Sequence, residues 1–447
     1  MKVYADNAAF KPLLTEVKQF IHDFIETDFR NPSAIYSNGR STRRLIEQAR
    51  EQVAKAIGAD ADEIYFTSGA SEGVNWFSHN ADRIYTTTIE HKAVLRNANQ
   101  FIPVSDTGRV DLDIFREQCP RYGNVVVGWV NNEIGTIQPI KEIVDICHKK
   151  HSCILVDATQ ALSHIPIDTH ELDVDFLVGS FGKLGGLTGS GFLYMRKGMH
   201  LEPMIKGGGQ EHGMRASTEN ILGILAGAMA ISIATQNIEI KAAITAKKRD
   251  KIISGLSQIP KSHLNGDLDN RVCGNINIAF EGIEAESLVL MCDMNGLQIS
   301  AGSACNSVSI EPSHVLKAIG LSNELARASV RITIGDDITD EEGNVIGETT
   351  NYYDEHWVDP YCEKVWEYNV QVAKELIERG FDEIQFDYIR FPTDGTNLGQ
   401  TKYRYQEKGM DMESALISFL SYARENIKAP IGIDIYGSNG WYRSGSR

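Results

Sequence analysis

Over its first two hundred residues the chain alternates short apolar runs with stretches of helical period. Ile64-Tyr65-Phe66-Thr67, Arg83-Ile84-Tyr85-Thr86, the run 124–130 and Cys153-Ile154-Leu155-Val156 are almost unbroken in apolar or β-branched residues. Such runs are expected of strands covered on both faces. Between them lie stretches such as 141–150, where Ile143, Ile146 and Cys147 share one helical face. Strand alternating with helix predicts an α/β layer built on a mostly parallel sheet. The longest apolar stretch, 221–234, is shorter than the ~20 residues of a bilayer span and contains glycines and a serine. It reads as a buried helix, and no membrane association is expected.

Ligands of parallel sheets collect at the carboxyl ends of the strands. Thr67, Asn132, Asp157 and Lys183 all fall at such ends, with Gln160 and Ser180 between the last two. A strand-end aspartate and lysine are common in any α/β protein. Together they are also what pyridoxal phosphate needs: an amine to hold its aldehyde and a carboxylate to keep its ring nitrogen protonated. Ser180, three residues before the lysine, adds a short polar donor for a phosphate. The turn Thr67-Ser68-Gly69-Ala70-Ser71-Glu72-Gly73 follows a strand and opens a helix. It is either a plain turn or a phosphate cradle made of free N–H groups. The glycine-rich run 207–218 reads equally as a flexible surface loop or as a functional one.

At 447 residues the chain should hold two or three domains, and 42% hydrophobic with 23% charged residues is the composition of a soluble globular protein. A net charge of −16 argues against sequence-independent binding of nucleic acid. The seven cysteines form no C-x-x-C pair, so neither a zinc site nor a disulfide ladder is expected. Asp6 follows Met1-Lys2-Val3-Tyr4-Ala5 too closely for a signal-peptide apolar core, which points to a reducing cytoplasm. One step in composition marks a boundary near Gly343-Asn344: 17 aromatic residues fall in positions 344–447 against 20 in the preceding 343.

The ordered motifs Asp6-Asn7-Ala8-Ala9, Asn31-Pro32-Ser33, the 67–72 turn, Glu90-His91-Lys92-Ala93-Val94 and 130–136 precede the Asp157–Gln160 and Ser180–Lys183 segments. The 207–218 loop and Ser300-Ala301-Gly302-Ser303-Ala304-Cys305 complete the series. Over residues 2–342 the chain thereby resembles the NifS/IscS-like cysteine desulfurases, class V fold-type I pyridoxal-phosphate enzymes. The resemblance implies a large cofactor domain at 16–261 and a small α/β domain from 1–15 and 262–342. It gives Lys183 the cofactor aldehyde, Asp157 the ring nitrogen, His91 the ring face, and Gln160 with Asn132 the ring hydroxyl. Ala70 (through its backbone), Ser71 and Ser180 would hold the phosphate, joined by Thr218 of a second subunit in a homodimer. Arg331 matches the clamp for the substrate carboxylate, a planar bidentate donor; a surface ion pair is the bland alternative.

Cys305 separates a desulfurase from other lyases and aminotransferases of the class. It stands among Gly, Ser and Ala, whereas Cys147, Cys153 and Cys292 stand in apolar elements. An accessible thiolate suits a sulfur carrier. The implied reaction takes L-cysteine to L-alanine. Lys183 moves the Cα proton, His91 and Lys183 carry protons, and a Cys305 persulfide passes to an acceptor protein for Fe-S clusters or thio-modification. Some positions depart from the family pattern: Gly182 for a histidine that touches the phosphate, His212 for arginine, Ser217 for glycine, Tyr36 for histidine, and Phe10-Lys11 for threonines. Weaker cofactor retention is expected from Gly182.

Past Glu342 the pattern stops. Gly380-Phe381-Asp382-Glu383-Ile384-Gln385-Phe386-Asp387 and Ile431-Gly432-Ile433-Asp434, with a helix near 363–379, are similar to a family of glycoside-hydrolase-like (β/α)-barrel proteins. Asp387 and Asp434 would end successive strands. A closed barrel needs about 250 residues and eight strands, and two strand–helix units are the most this segment can form. It is therefore expected to be a partial, inactive barrel fragment of a chimeric chain, with Trp357, Trp366 and Trp441 left as unburied core. A carbohydrate-active protein working through this segment is the reading from another class.

Overall fold

The computed structural model describes residues 3–301, 312–335, 348–349, 357–358, 360–379, 382–386, 405–406 and 411–433. The chain divides into two compact units, residues 2–336 and 337–447.

In the first unit, seven strands form one sheet in the order β2-β8-β7-β6-β5-β3-β4. They are β2 (Ile64–Thr67), β3 (Ile84–Thr87), β4 (Gln100–Ile102), β5 (Asn124–Gly128), β6 (Cys153–Asp157), β7 (Phe176–Ser180) and β8 (Gly191–Met195). β4, β3, β5, β6 and β7 are parallel neighbours, and β8 runs antiparallel to both β7 and β2. Both faces are covered, which explains why the strands read as continuous apolar runs. Val125, Val127, Ile154, Val156 and Leu177 face one core with the helices Ser37–Ala56, Ile140–Lys149 and Ile221–Ala234. Val126, Leu155, Phe176 and Val178 face the other, against Val74, Trp76 and Phe77 of the helix Ala70–His79. The 221–234 run is indeed a buried helix, and among the described residues no single helix is long and apolar enough to cross a membrane.

A second sheet, in the order β12-β13-β10-β9, is antiparallel: β9 (Ser262–Leu264), β10 (Asn275–Phe280), β12 (Ser300–Ala301) and β13 (Ser329–Thr333). β1 (Val3–Tyr4) pairs in parallel with β11 (Leu297–Gln298), which draws the N-terminus to this sheet. Its strands alternate. Ile276, Ile278 and Val330 enter an apolar core, while Asn275, Asn277 and Arg331 stand at the intervening positions. The helix Ile238–Leu256 joins the two layers, giving Ala242 and Ala246 to the first core and Ile252, Ile253 and Leu256 to the second.

In the second unit, helices Glu363–Glu378 and Met412–Asn426 accompany two parallel strands, Ile384–Phe386 and Ile431–Ile433. The expectation that Trp366 would be unburied is corrected. Its ring is 8% exposed, lies 6.3 Å from that of Phe419, and donates its indole N–H to the Pro360 carbonyl at 2.8 Å. A helix packed on a two-stranded ribbon can bury one aromatic stripe without a closed barrel. Asp387, Asp434 and Trp441 lie outside the described residues, as does the side chain of Trp357.

Candidate active site

The carboxyl ends of β5, β6 and β7 open into a cavity of about 530 Å³. Its walls bring together Ala70, Ser71, His91, Asn132, Asp157, Gln160, Ser180, Lys183 and Arg331. Residues up to 261 positions apart in sequence thus meet at one sheet edge.

Lys183 ends the short turn Phe181–Lys183 that follows β7. Its Nζ donates to the Ala8 carbonyl at 2.9 Å and also to that of Ala9. Gln160 Nε2 donates to the same Ala8 carbonyl at 3.0 Å. Asp157 closes β6, and its Oδ1 accepts the Thr159 N–H at 3.0 Å, which fixes the carboxylate against its own turn. His91 caps the helix Lys92–Leu95, with Nδ1 accepting the Ala93 N–H at 3.1 Å.

Gly69 caps the helix Ala70–His79 at φ +150°, and Thr67 Oγ1 donates to its carbonyl at 3.1 Å. A Cβ on Gly69 would lie 3.7 Å from Ser180 Oγ. A Cβ on Gly191, in the adjacent strand, would lie 2.7 Å from Gly69 Cα. Two glycines therefore let the cup settle on the sheet edge beside Ser180. The first-turn N–H groups of Ala70 and Ser71 have no intrahelical acceptor, and with Ser180 they form a donor set that fits a phosphate. At Gly182, a Cβ would lie 3.0 Å from Thr188 Cγ2, so a larger residue there would have to displace that chain.

Arg331, in β13, is 2% exposed, which removes the surface-ion-pair alternative. It donates Nη2 to Asp6 Oδ1 at 2.7 Å and Nη1 to the Asn132 carbonyl at 3.0 Å. Its Nε is buried with no partner, an orphaned donor on a cation that lines the cavity. An orphan of this kind is costly unless an anion completes it. The donor set, the ring-flanking groups and the lysine together fit pyridoxal phosphate with an amino-acid carboxylate.

Three further cavity residues were not singled out from the sequence: Glu90, Glu133 and His314. Glu90 accepts the Thr87 hydroxyl at 2.6 Å and the Gly128 N–H at 2.8 Å. Burial pushes its carboxyl up to about 7, aided by the charge of Asp157 and opposed by those two donors. Burial likewise pushes Glu133 up to about 7, against the Ser313 hydroxyl, Arg331 and Lys92. His314 is held below its ordinary value by burial, and its Nε2 lies 2.9 Å from the Glu90 carbonyl. Both glutamates stand inside motifs quoted above, each flanked by an isoleucine. Acids hemmed in by apolar neighbours were the available signal.

Two predicted residues are not in the cavity as described. Thr218 is exposed and does not line it. Cys305 lies outside the described residues. The 207–218 loop is anchored, contrary to the flexible alternative. Buried Glu211 pairs with Arg50 at 2.7 Å and accepts the Phe66 N–H at 2.8 Å, and Arg215 pairs with Glu72 at 2.9 Å. His212 in this loop is exposed.

Comparison with known proteins places this geometry. The family model described as "Aminotransferase class-V" matches residues 3–342. A "Cysteine desulfurase IscS" of Methanosarcina thermophila is 41% identical over 359 residues, covering 76% of this chain and 89% of the relative. Another IscS, from Clostridium botulinum, is 39% identical and covered to 91% of its length. Among solved structures, a "NifS-like protein" superposes with a TM-score of 0.71 at 32% identity, covering 76% of this chain and 96% of the other. One from Rickettsia africae gives 0.70 at 30% identity, covering 76% and 95%. A second family model, described as "Putative glycosyl hydrolase domain", matches residues 328–447.

Proposed function

The chain belongs to the class-V aminotransferase family, and within it to the IscS-like cysteine desulfurases, and we propose that its cavity converts L-cysteine to L-alanine while passing sulfur to Cys305. The observation that carries this reading is the meeting of Lys183, Asp157, Gln160, Ser180 and Arg331 at one cavity. Pyridoxal phosphate is the cofactor of the family. When bound it supplies an electron-withdrawing ring that accepts the charge left at Cα.

In this reading Lys183 Nζ would hold the cofactor aldehyde, and its amine would take the Cα proton. Asp157 would keep the ring nitrogen protonated, His91 would lie against the ring, and Gln160 with Asn132 would flank the ring hydroxyl. The N–H of Ala70 with the hydroxyls of Ser71 and Ser180 would hold the phosphate. Arg331 receives the substrate carboxylate through its orphaned Nε. Cys305 thiolate attacks the substrate sulfur. An S–S bond forms, the Cβ–S bond breaks, and the electron pair stays with the three-carbon skeleton, which takes one proton at Cβ, regains one at Cα and leaves as L-alanine. The persulfide then passes to an acceptor thiol. Thr218, exposed and not lining its own cavity, is free to reach the neighbouring site in a homodimer.

Lys183→Ala should abolish both the visible absorbance of the bound cofactor and L-alanine formation. Cys305→Ser should keep that absorbance, respond spectrally to L-cysteine, and release no sulfur. Sulfur release at the parent rate by Cys305→Ser would instead favour another lyase of the class.

A further inference from the structure

Glu133 is an acid without a described cation at hydrogen-bond range. Its carboxyl accepts the hydroxyl of Ser313. That hydroxyl's own oxygen accepts the N–H groups of Val315 and Leu316, at 3.2 and 3.3 Å, so its single proton has nowhere else to go. The backbone at 133 is pinned from both sheets. Asn131 Oδ1 accepts the Glu133 N–H at 2.9 Å, and Asn277 Nδ2 donates to the Glu133 carbonyl at 3.1 Å. The residue is 4% exposed.

Arg331 is the nearest source of positive charge in the clamp, and Asp6 already shares it at 2.7 Å. A docking carboxylate would bring a third acid around one buried guanidinium. Such an excess of negative charge in a low dielectric is relieved by neutralising one group. Asp6 keeps its ion pair and stays partly wet, whereas Glu133 has only a hydroxyl. We propose that Glu133 is a positioning residue that takes up one proton as the substrate carboxylate docks on Arg331. This inference rests on the Arg331 clamp proposed above.

The other charged and titratable groups around it are Lys92 and His91 from the segment after β3, Glu90 beside them, and His314 next to Ser313. Lys92 and Arg331 favour the ionised carboxylate, burial favours the acid, and the two sides balance at about 7. The sign follows. Below this value Glu133 is already protonated and docking takes up nothing there. Above it docking must draw a proton from solvent, so carboxylate affinity falls as pH rises.

The test is calorimetry of L-alanine binding to the cofactor-loaded enzyme at pH 7.5, in two buffers of different ionisation heat. Proton exchange at the ligand amine is common to all variants and cancels in the comparison. Wild type should take up about three-quarters of a proton more than Glu133→Gln, whose amide keeps an acceptor for Ser313. Equal uptake in the two, with binding retained, overturns the inference. Should the glutamine variant fail to fold, Ser313→Ala carries the test. Loss of a donor that favours the ionised form should move the uptake midpoint to higher pH, and an unmoved midpoint overturns the inference. Arg331→Lys separates the premise: unchanged L-alanine affinity there would sink the clamp itself, whereas lost affinity with no role for Glu133 sinks only the inference.

Discussion

Gly227→Ala sets two opposite effects against each other far from any ligand contact. Gly227 lies within the buried helix Ile221–Ala234, facing Phe181, the first residue of the turn that ends in Lys183. An added methyl would lie 2.7 Å from Phe181 Cε2 and nearer still to Cδ2 and Cγ. Removing a glycine from a helix interior stabilises by about 1 kcal/mol. Overpacking a tight core costs about 1–3 kcal/mol. The clash should win, because the Phe181 ring cannot yield. It is fully buried, with Phe192 at 5.7 Å and Phe66 at 6.4 Å. The Phe181 carbonyl also accepts the N–H groups of Leu184 and Gly186, at 2.9 and 3.0 Å, so a shifted ring drags the lysine turn with it. The expected outcome is a net loss of up to about 2 kcal/mol, a lower melting temperature and weaker retention of pyridoxal phosphate. Thermal melting and an absorbance titration of the cofactor measure both. Gly255→Ala, on a helix where an added Cβ meets nothing within 4 Å, is the control and should stabilise by about 0.5–1 kcal/mol. If Gly227→Ala is as stable as that control and binds cofactor like wild type, the packing argument is wrong.

Other substitutions test separate parts of the frame. Ser217 stands at φ +91°, where a side chain is strained, so Ser217→Gly should raise stability by about 1 kcal/mol in chemical denaturation. Glu211→Ala strands the Phe66 N–H and leaves the buried Arg50 guanidinium only the half-exposed Glu47 and the Ile64 carbonyl, and should cost about 3 kcal/mol by the same measurement. Glu90, raised to about 7 when folded, binds more protons in the native than in the unfolded chain between its ordinary value and 7. Stability from this group is therefore present at low pH and lost as pH rises through that window. Glu90→Gln should match wild type near pH 4 and exceed it at pH 8 by up to about 3 kcal/mol, and an unchanged pH–stability slope would refute the assignment.

The strands and the core of the site were legible because a parallel sheet buried on both faces leaves a plain record: apolar runs whose last residues point at ligand. Ile64–Thr67 is a strand as read, and Asp157 ends its strand, whereas Lys183 stands three residues past the end of the next, in the turn that follows it. β8 was not read as a strand, and nothing in its apolar run tells of its reversed direction. Asp6, quoted only as part of a motif, proved to be the partner of Arg331, because that pairing spans 325 positions and no local pattern records it. Glu90 and Glu133 escaped for a related reason. Their perturbation comes from burial, and burial of an acid is decided by what the fold packs around it. The strained φ at Ser217 was legible in part, since a departure from glycine was visible while its backbone cost was not.

The acceptors at the cavity share a chemical character that explains how its frame tolerates substitution. Arg331 donates to the carbonyl of Asn132, Asn277 to that of Glu133, and Lys183 and Gln160 to that of Ala8, while His314 meets the carbonyl of Glu90. A main-chain carbonyl is present whatever side chain the residue bears. The frame is thus carried by backbone, and the side chains of Asn132, Glu133 and Glu90 are left to face the cavity. Departures such as Gly182 can then accumulate while the two sheets keep their relation. The exception is the segment from Asp6 to Ala9, which touches two cations of the site: the Asp6 side chain holds Arg331, and the Ala8 and Ala9 carbonyls hold Lys183. One short stretch thereby bears on the separation between the group proposed to receive the substrate carboxylate and the amine proposed to work at its Cα. Its backbone path should constrain substrate length more strictly than any residue lining the cavity.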